Sequence, residues 1–314
     1  MKLCVFGAGA IGSHVAARLA RGGKAEVSVV ARGAQLEAIR AGGLTVEAPE
    51  ARFNVRVRAE SHAGALGPQD AVIVTVKAPA IPAVAAALAP LLGPRTPVVF
   101  VVNGIPWWWD SRLTALDPGG VIRASVSPER VVGGVVWSAC TVTEPGVVKV
   151  QSASSRVILG ELDGAITPRI TALAEALEAG GMGGVAAPDI RTQIWTKLLN
   201  NLTNGPICLL TRRDMRSTFE DPVVLNAAKG VMHEGLAIAA ALGHPIPGDP
   251  EKQILRSVSI PHKPSILQDL EAGRSLEFEA LLATPLQLAR EAGVAAPMLE
   301  LLVALARQAA YPVG

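Results

Sequence analysis

A chain of 314 residues with 29 Lys and Arg against 27 Asp and Glu carries a net charge of only +2 and has no basic run of five or more, so nothing in it resembles a nucleic-acid-binding tail. Half of its residues are hydrophobic and 18% charged, which excludes a globally disordered chain, and its length suits two domains better than one. Cys4, Cys140 and Cys208 lie far apart without zinc-like spacing and the five histidines form no HExxH pair, so no metal site is expected and the cysteines read as reduced core residues of a cytoplasmic protein.

In chain order, residues 3–7 read as a buried strand, Ala10 to about Arg21 as a helix of small and apolar residues, and Val27 to Val30 as a second strand. The apolar start is too short for a signal peptide and runs straight into a glycine motif. Residues 52–58 alternate enough for a further strand. Ala71–Val76 and Val98–Val102 are apolar and strand-sized, far short of the roughly 20 residues that span a bilayer, and no membrane association is expected. The alanine-rich segment 80–91 between them reads as a crossover helix, which makes the sheet parallel. Residues 121–159 hold β-branched runs broken by Pro, Gly and Ser, predicting antiparallel or mixed strands.

The run GGMGG at 180–184 breaks this pattern, and helix-compatible segments follow at 189–211, 221–242, 251–258, 277–291 and 297–310. Pro206 should kink or end the first of them unless its missing donor is tolerated. The predicted fold class is α/β, with a Rossmann-type dinucleotide-binding domain at 1–184 and a mainly helical domain at 185–314.

The sequence GAGAIG spans Gly7, Ala8, Gly9, Ala10, Ile11 and Gly12, at the transition from the first strand to the first helix. There a tight turn brings backbone N–H groups against a pyrophosphate. Arg32 stands twenty residues after Gly12, where NAD sites often carry an acid, and no acid lies between Val27 and Arg32. That exchange favours NADPH, with Arg32 on the 2′-phosphate. Lys77 and Asn103–Gly104 follow two apolar strands, at the carboxyl ends where such sheets bind ligands; a solvated lysine and a plain Asn-Gly turn are the competing readings. Trp107–Trp109 can form a pocket wall, a packed core or a subunit contact.

In WTKLLNNLTN, Lys197, Asn201 and Asn204 share nearly one helical face, because steps of four and seven residues rotate by about +40° and −20°. A lysine there can protonate a carbonyl oxygen as hydride reaches its carbon. Ser265 and Glu277 flank a predicted connection around 272–275. Ser265 can hydrogen-bond a substrate carboxylate or cap a helix; Glu277 can accept from a substrate hydroxyl, orient Lys197 or stay at the surface.

Taken together, GAGAIG, Arg32, the Lys77 segment, Asn103–Gly104, Trp195–Lys197–Asn201 and Ser265 to Glu277 follow one another in an order that resembles the ketopantoate reductase family over essentially the whole chain. The resemblance implies an N-terminal NADP-binding domain, a helical C-terminal domain, and reduction of 2-dehydropantoate to pantoate by hydride transfer from NADPH. It implies Lys197 as catalytic acid, Glu277 beside it, and Asn103, Asn201, Ser265 and Glu277 as residues that contact or organise the ketoacid; a homodimer is compatible with it. Two positions depart from the family pattern. An asparagine expected eight residues after the lysine is Gly205, with Asn204 one residue early as its replacement, and an Asp and Asn-Gly after Glu277 are Glu279 and Leu282–Ala283. The competing functions are a reductase of another 2-ketoacid, a hydroxyacid or sugar-acid dehydrogenase, and a noncatalytic NADP-binding sensor.

Overall fold

In the computed structural model, which describes residues 1–247, 249, 251–252, 255 and 260–311, the N-terminal apolar run forms β1 (Lys2–Phe6) with its last four residues buried. A glycine turn leads into α1 (Ala10–Gly22), then β2 (Glu26–Val30) and α2 (Gly33–Gly42). A hairpin of β3 (Leu44–Ala48) and β4 (Ala51–Val55) follows, then β5 (Arg58–Glu60) and β6 (Ala71–Val74). The segment 52–58 is therefore two strands in two different sheets, not one. After β6 the alanine-rich stretch is not a single helix. It breaks into two 3₁₀ turns, Ala78–Ala80 and Ala86–Leu91, around a four-residue α3 (Ile81–Val84), because Pro79, Pro82 and Pro90 remove donors and crowd the preceding residues.

The chain continues through β7 (Val98–Val101), α4 (Val121–Ser125), β8 (Val131–Trp137), β9 (Cys140–Glu144), β10 (Val147–Val150) and β11 (Arg156–Glu161) to α5 (Pro168–Ala179) and β12 (Gly183–Ala186). Residues 121–125 are helical although β-branched in part: the Asp117 carboxylate accepts from the Ile122 and Arg123 backbone N–H groups at 2.8 and 3.1 Å and starts the turn. The main sheet has the order β12-β11-β8-β7-β6-β1-β2-β5. It is parallel from β5 to β8, and β11 runs antiparallel to β8. A second sheet, β4-β3-β10-β9, was not legible as a separate layer.

These elements form unit 1, Met1–Val102 and Asp110–Ile190. Its core is shared by both sheets through α1: Val15, Ala16 and Leu19 join Leu3 and Val5 of β1 and Leu44, Val46 and Val148 of the smaller sheet. Small residues let the layers approach. A Cβ on Gly180 would lie 1.9 Å from the Arg18 carbonyl oxygen, and one on Gly184 would lie 1.9 Å from that of Ala174. The GGMGG run thus serves backbone packing against α1 and α5, and its last two residues begin β12.

Unit 2, Asn103–Trp109 and Arg191–Gly314, is helical. It holds α6 (Ile190–Thr211, whose first residue belongs to unit 1), α7 (Met215–Phe219), α8 (Pro222–Ala241), α9 (Ser265–Glu271), a π-helical turn at Glu279–Ala283 that runs into α10 (Thr284–Glu291), and α11 (Pro297–Ala310). The expected helix at 251–258 lies for the most part outside the described residues. α6 runs through Pro206, leaving the Leu202 carbonyl without the donor another residue would supply. Carboxylates cap three of the other helices. Asp214 accepts from Ser217 N at 3.0 Å and Asp221 from Val223 N at 2.8 Å. The Glu234 carboxylate of α8 reaches across to the first turn of α11, accepting from Met298 N and Leu299 N at 2.9 and 2.7 Å. Among the described residues, no helix is long and apolar enough to cross a membrane.

One buried polar network ties α1 to the smaller sheet. Arg18 Nε donates to His14 Nε2 at 3.0 Å, so the neutral ring carries its proton on Nδ1 and donates to Ser138 Oγ at 3.2 Å. The Arg18 guanidinium also pairs with Glu50. Burial, and then the Arg18 charge, push the His14 pKa from 6.5 down to about 4, with Glu50 opposing. The unfolded chain therefore binds the extra proton first as pH falls from 6.5 towards 4. Folding stability should drop over that interval by about 3 kcal/mol from this group. Urea midpoints at pH 7.5 and 4.5 test this: His14→Gln should flatten the pH dependence, and an unchanged slope would remove His14 as its source.

Candidate active site

The parallel strands of unit 1 present the predicted cofactor residues at their carboxyl ends. Gly7 directly follows β1 with φ at 106°, and its carbonyl accepts from Thr75 Oγ1 at 2.6 Å. A Cβ on Gly12 would lie 1.8 Å from that carbonyl oxygen and one on Gly7 would lie 2.7 Å from Val76 Cγ1, so both positions exclude side chains. Gly9 differs. Nothing lies within 4 Å of where its Cβ would stand, and it is the N-cap of α1 without a side-chain cap. Ala8 is buried, its carbonyl accepting from Ser13 Oγ at 3.0 Å. The N–H groups of Ala10, Ile11 and Gly12 precede any intrahelical acceptor. Open backbone at Gly9 and the positive end of α1 together fit a diphosphate.

Arg32 lies two residues beyond β2 as the N-cap of α2. It is exposed, and its guanidinium has no hydrogen-bond or ion-pair partner among the described residues. Lys77, three residues beyond β6, is half-buried and opens a 3₁₀ turn. Thr75, which fixes the Gly7 carbonyl, was missed because it carries no motif and sits inside the predicted strand 71–76.

Within unit 2, three predicted residues meet. Lys197 Nζ donates to Asn103 Oδ1 at 2.5 Å, and Asn103 Nδ2 donates to Glu277 Oε2 at 3.2 Å. Glu277 is 5% exposed and Lys197 half-buried. Asn103 thus stands hydrogen-bonded between a cation and a carboxylate.

The backbone that carries Asn103 is clamped. Gly104 has φ at 77°, and a Cβ on it would lie 2.3 Å from the Ala280 carbonyl oxygen. That same oxygen accepts from Ile105 N at 2.9 Å. Ala280 belongs to the π-helical turn, whose looser ladder lets a carbonyl turn outward to a neighbouring segment. The three tryptophans are all buried and form a wall of unit 2 packing rather than a free surface. Trp109 stacks on Trp108 at 6.5 Å and meets Trp195 and His244 edge-on at 6.4 and 5.4 Å. Arg191 lies over Trp109 at 4.5 Å and donates to the Trp109 carbonyl at 3.0 Å.

One turn beyond Lys197, Asn201 lines a small recess with Gly205, Pro264, Ser265, Ile266, Leu281 and Leu282. The Asn201 amide and the Ser265 hydroxyl have no hydrogen-bond partner among the described residues. Ser265 is the first residue of α9, and Pro264 takes the N-cap position. Asn204 does not line the recess; it is 5% exposed, with its Oδ1 buried and without a partner among the described residues. Glu279 points elsewhere, to Arg307 at 3.3 Å. Ile266 and Leu281 were missed by sequence reasoning, since apolar residues in a helix read as core. Among the described residues, no group of three or more His, Cys, Asp or Glu is arranged to hold a metal.

Residues 3–164 match the family model described as ketopantoate reductase PanE/ApbA, and residues 189–310 match its C-terminal counterpart. The chain is 38% identical to a 2-dehydropantoate 2-reductase of Mesorhizobium japonicum, over 100% of this chain and 99% of the relative. A solved 2-dehydropantoate 2-reductase from Geobacter metallireducens superposes with a TM-score of 0.88 at 29% identity, covering 98% of this chain and 100% of the other. D-mandelate dehydrogenase, solved with NADH and anilino(oxo)acetate, shares the fold at 21% identity with a TM-score of 0.82, covering 99% and 98% of the two chains.

Gly104→Ala should cost at least about 2 kcal/mol, since it adds a steric clash with Ala280 to the strain of a positive φ. Gly243, with φ at 81° and nothing within 4 Å of its Cβ position, is the control. Gly243→Ala should cost only about 1 kcal/mol. Equal shifts in urea midpoint for the two variants would show that the Ala280 contact does not constrain the segment.

Proposed function

Because the chain belongs to the ketopantoate reductase family, a family of oxidoreductases, we propose that it reduces 2-dehydropantoate to pantoate with NADPH, Lys197 supplying the proton. The observation that carries this reading is the hydrogen-bonded chain from Lys197 through Asn103 to Glu277, one helical turn from the unpaired Asn201 amide and Ser265 hydroxyl. A bound nicotinamide supplies the hydride.

The residues of unit 2 do the rest. Ser265 and Asn201 hydrogen-bond the substrate carboxylate and orient the ketone oxygen towards Lys197 Nζ. As hydride reaches the ketone carbon, the carbonyl electron pair moves onto oxygen, and the Lys197 ammonium stabilises that charge and releases a proton to it. Asn103 keeps the ammonium aimed, and the Glu277 carboxylate keeps Asn103 in the orientation that accepts from Lys197. In unit 1 the open backbone at Gly9 and the first N–H groups of α1 would hold the diphosphate of the cofactor. Arg32, exposed and unpaired, would take the 2′-phosphate, and Lys77 would border the same ligand.

NADPH oxidation with 2-dehydropantoate, with product identification, tests the activity. Lys197→Ala should lower kcat by about 10² to 10⁴-fold while NADPH binding persists. Full turnover in that variant would reject the proton-transfer role. Arg32→Ala should raise the KM for NADPH by at least about tenfold, equivalent to one lost charge-assisted contact, and leave NADH use nearly unchanged. Equal losses with both cofactors would place Arg32 outside phosphate recognition.

A further inference from the structure

Glu277 sits where regular structure stops. Residues 274–277 belong to no helix or strand, and the helical ladder begins only with Phe278 and the π-helical turn behind it, Leu281 N donating to the Glu277 carbonyl at 2.9 Å. The Glu277 carboxylate nevertheless meets the Asn103 amide. With so little ladder around it, the residue is placed by the burial of its two neighbours, Leu276 and Phe278.

The end of α11 closes the Phe278 ring from outside. Arg307 lies over its face, the guanidinium carbon 4.7 Å from the ring centroid, and Tyr311 meets it edge-on at 5.8 Å and 71°. Four residues apart, the two share one helix edge, and Tyr311 N donates to the Arg307 carbonyl at 2.9 Å to close the last turn. Arg307 also donates to Glu279 at 3.3 Å, so one guanidinium grips the two residues that directly follow Glu277. Glu279 is one of the departures from the family pattern, and this is the contact it makes. The next residue, Ala280, is tied by its carbonyl to Ile105 N. Residues 277–280 are therefore held by the end of α11 as well as by the segment that carries Asn103.

We infer that Arg307 and Tyr311 are positioning residues for the reduction: by holding the Phe278 ring they set the Glu277 carboxylate and, through the Asn103 amide, the direction of the Lys197 ammonium. Neither residue touches the reacting atoms. The inference rests on the reading of Lys197 as proton donor. An exposed ion pair such as Arg307 with Glu279 contributes little to stability, so the contact is read in turnover rather than in folding.

The test is the steady-state kinetics of 2-dehydropantoate reduction by NADPH. Tyr311→Ala should lower kcat about three- to tenfold, the aromatic contact expressed as barrier height, and change the KM for NADPH, whose proposed contacts lie in unit 1, by less than about twofold. Tyr311→Phe, which keeps the ring, should stay within about twofold of the unaltered protein. In a Glu277→Ala chain, where the carboxylate to be positioned is gone, Tyr311→Ala should lower kcat further by less than about 1.5-fold. A purely structural role would give the same loss in both backgrounds. That result, or an unchanged kcat in Tyr311→Ala, overturns the inference while leaving 2-dehydropantoate reduction standing. If Tyr311→Ala fails to fold, Arg307→Lys, which keeps a charge for Glu279 but loses the planar face over Phe278, carries the same expectations in the two backgrounds. No reduction by the unaltered protein, or full turnover in Lys197→Ala, removes the reading beneath the inference and the inference with it.

Discussion

The hydrogen bonding that joins Lys197 to Glu277 in unit 2 depends on which way one amide faces. Asn103 stands between the Lys197 ammonium and the Glu277 carboxylate, and a side-chain amide has one acceptor end and one donor end. With Oδ1 on the cation and Nδ2 on the anion, both hydrogen bonds are charge-assisted. Turned over, the amide would set N–H against ammonium and carbonyl against carboxylate. Each charge-assisted bond contributes about 2 kcal/mol, so reversal is prohibitive while both neighbours keep their charge. The buried Glu277 therefore governs the direction of the Asn103 amide and, through it, that of Lys197, and a lysine, whose long stem has many rotamers, is reduced to few.

That constraint is only as firm as the backbone under Asn103. Asn103 follows β7 after a single residue, then the chain turns at Gly104, where Ala280 leaves no room for a side chain, and Ile105 closes the contact by donating to the same carbonyl. The price is a π-helical turn in place of regular helix at 279–283. Beyond it, three buried tryptophans anchor the segment, with Trp109 contacting Trp195 and Arg191, both from α6. Trp195 lies two residues before Lys197, so the aromatic packing and the hydrogen-bonded chain brace the same helix. The indole N–H groups of Trp108 and Trp195 are buried without partners among the described residues, a cost accepted in exchange for ring packing.

Much of this was legible in the residues. Apolar β-branched runs ending at Gly7, Arg32, Lys77 and Asn103 announced a parallel sheet with its ligand edge, because a doubly covered strand cannot alternate and its motif must follow it. The helix-compatible segment 221–242 starts where it was expected, with Asp221 capping it and Pro222 needing no donor. What stayed hidden was set by contacts distant in sequence. The smaller sheet joins β3 to β10 in parallel, a pairing across about a hundred residues that no local pattern encodes. α7 and α9 are too short to show a period. The prolines at 79, 82 and 90 were visible, but alanine content outweighed them in reading the crossover as one helix, and the donors they lack decided the outcome.

The helical wheel of α6 shows most clearly where counting residues stops being enough. By rotation alone, Asn204 lies about 20° from Lys197, nearer than Asn201 at about 40° and far nearer than Gly205 at about 80°. Yet Asn201 and Gly205 line the recess and Asn204 does not. The neighbours resolve it. α9 and the π-helical turn bring Ser265, Ile266, Leu281 and Leu282 to one side of α6, and the recess follows the steps of four that drift towards them, whereas Asn204 drifts the opposite way into packed interior. Along that drifting line the side chains change from an ammonium at 197, to an amide at 201, to bare backbone at 205.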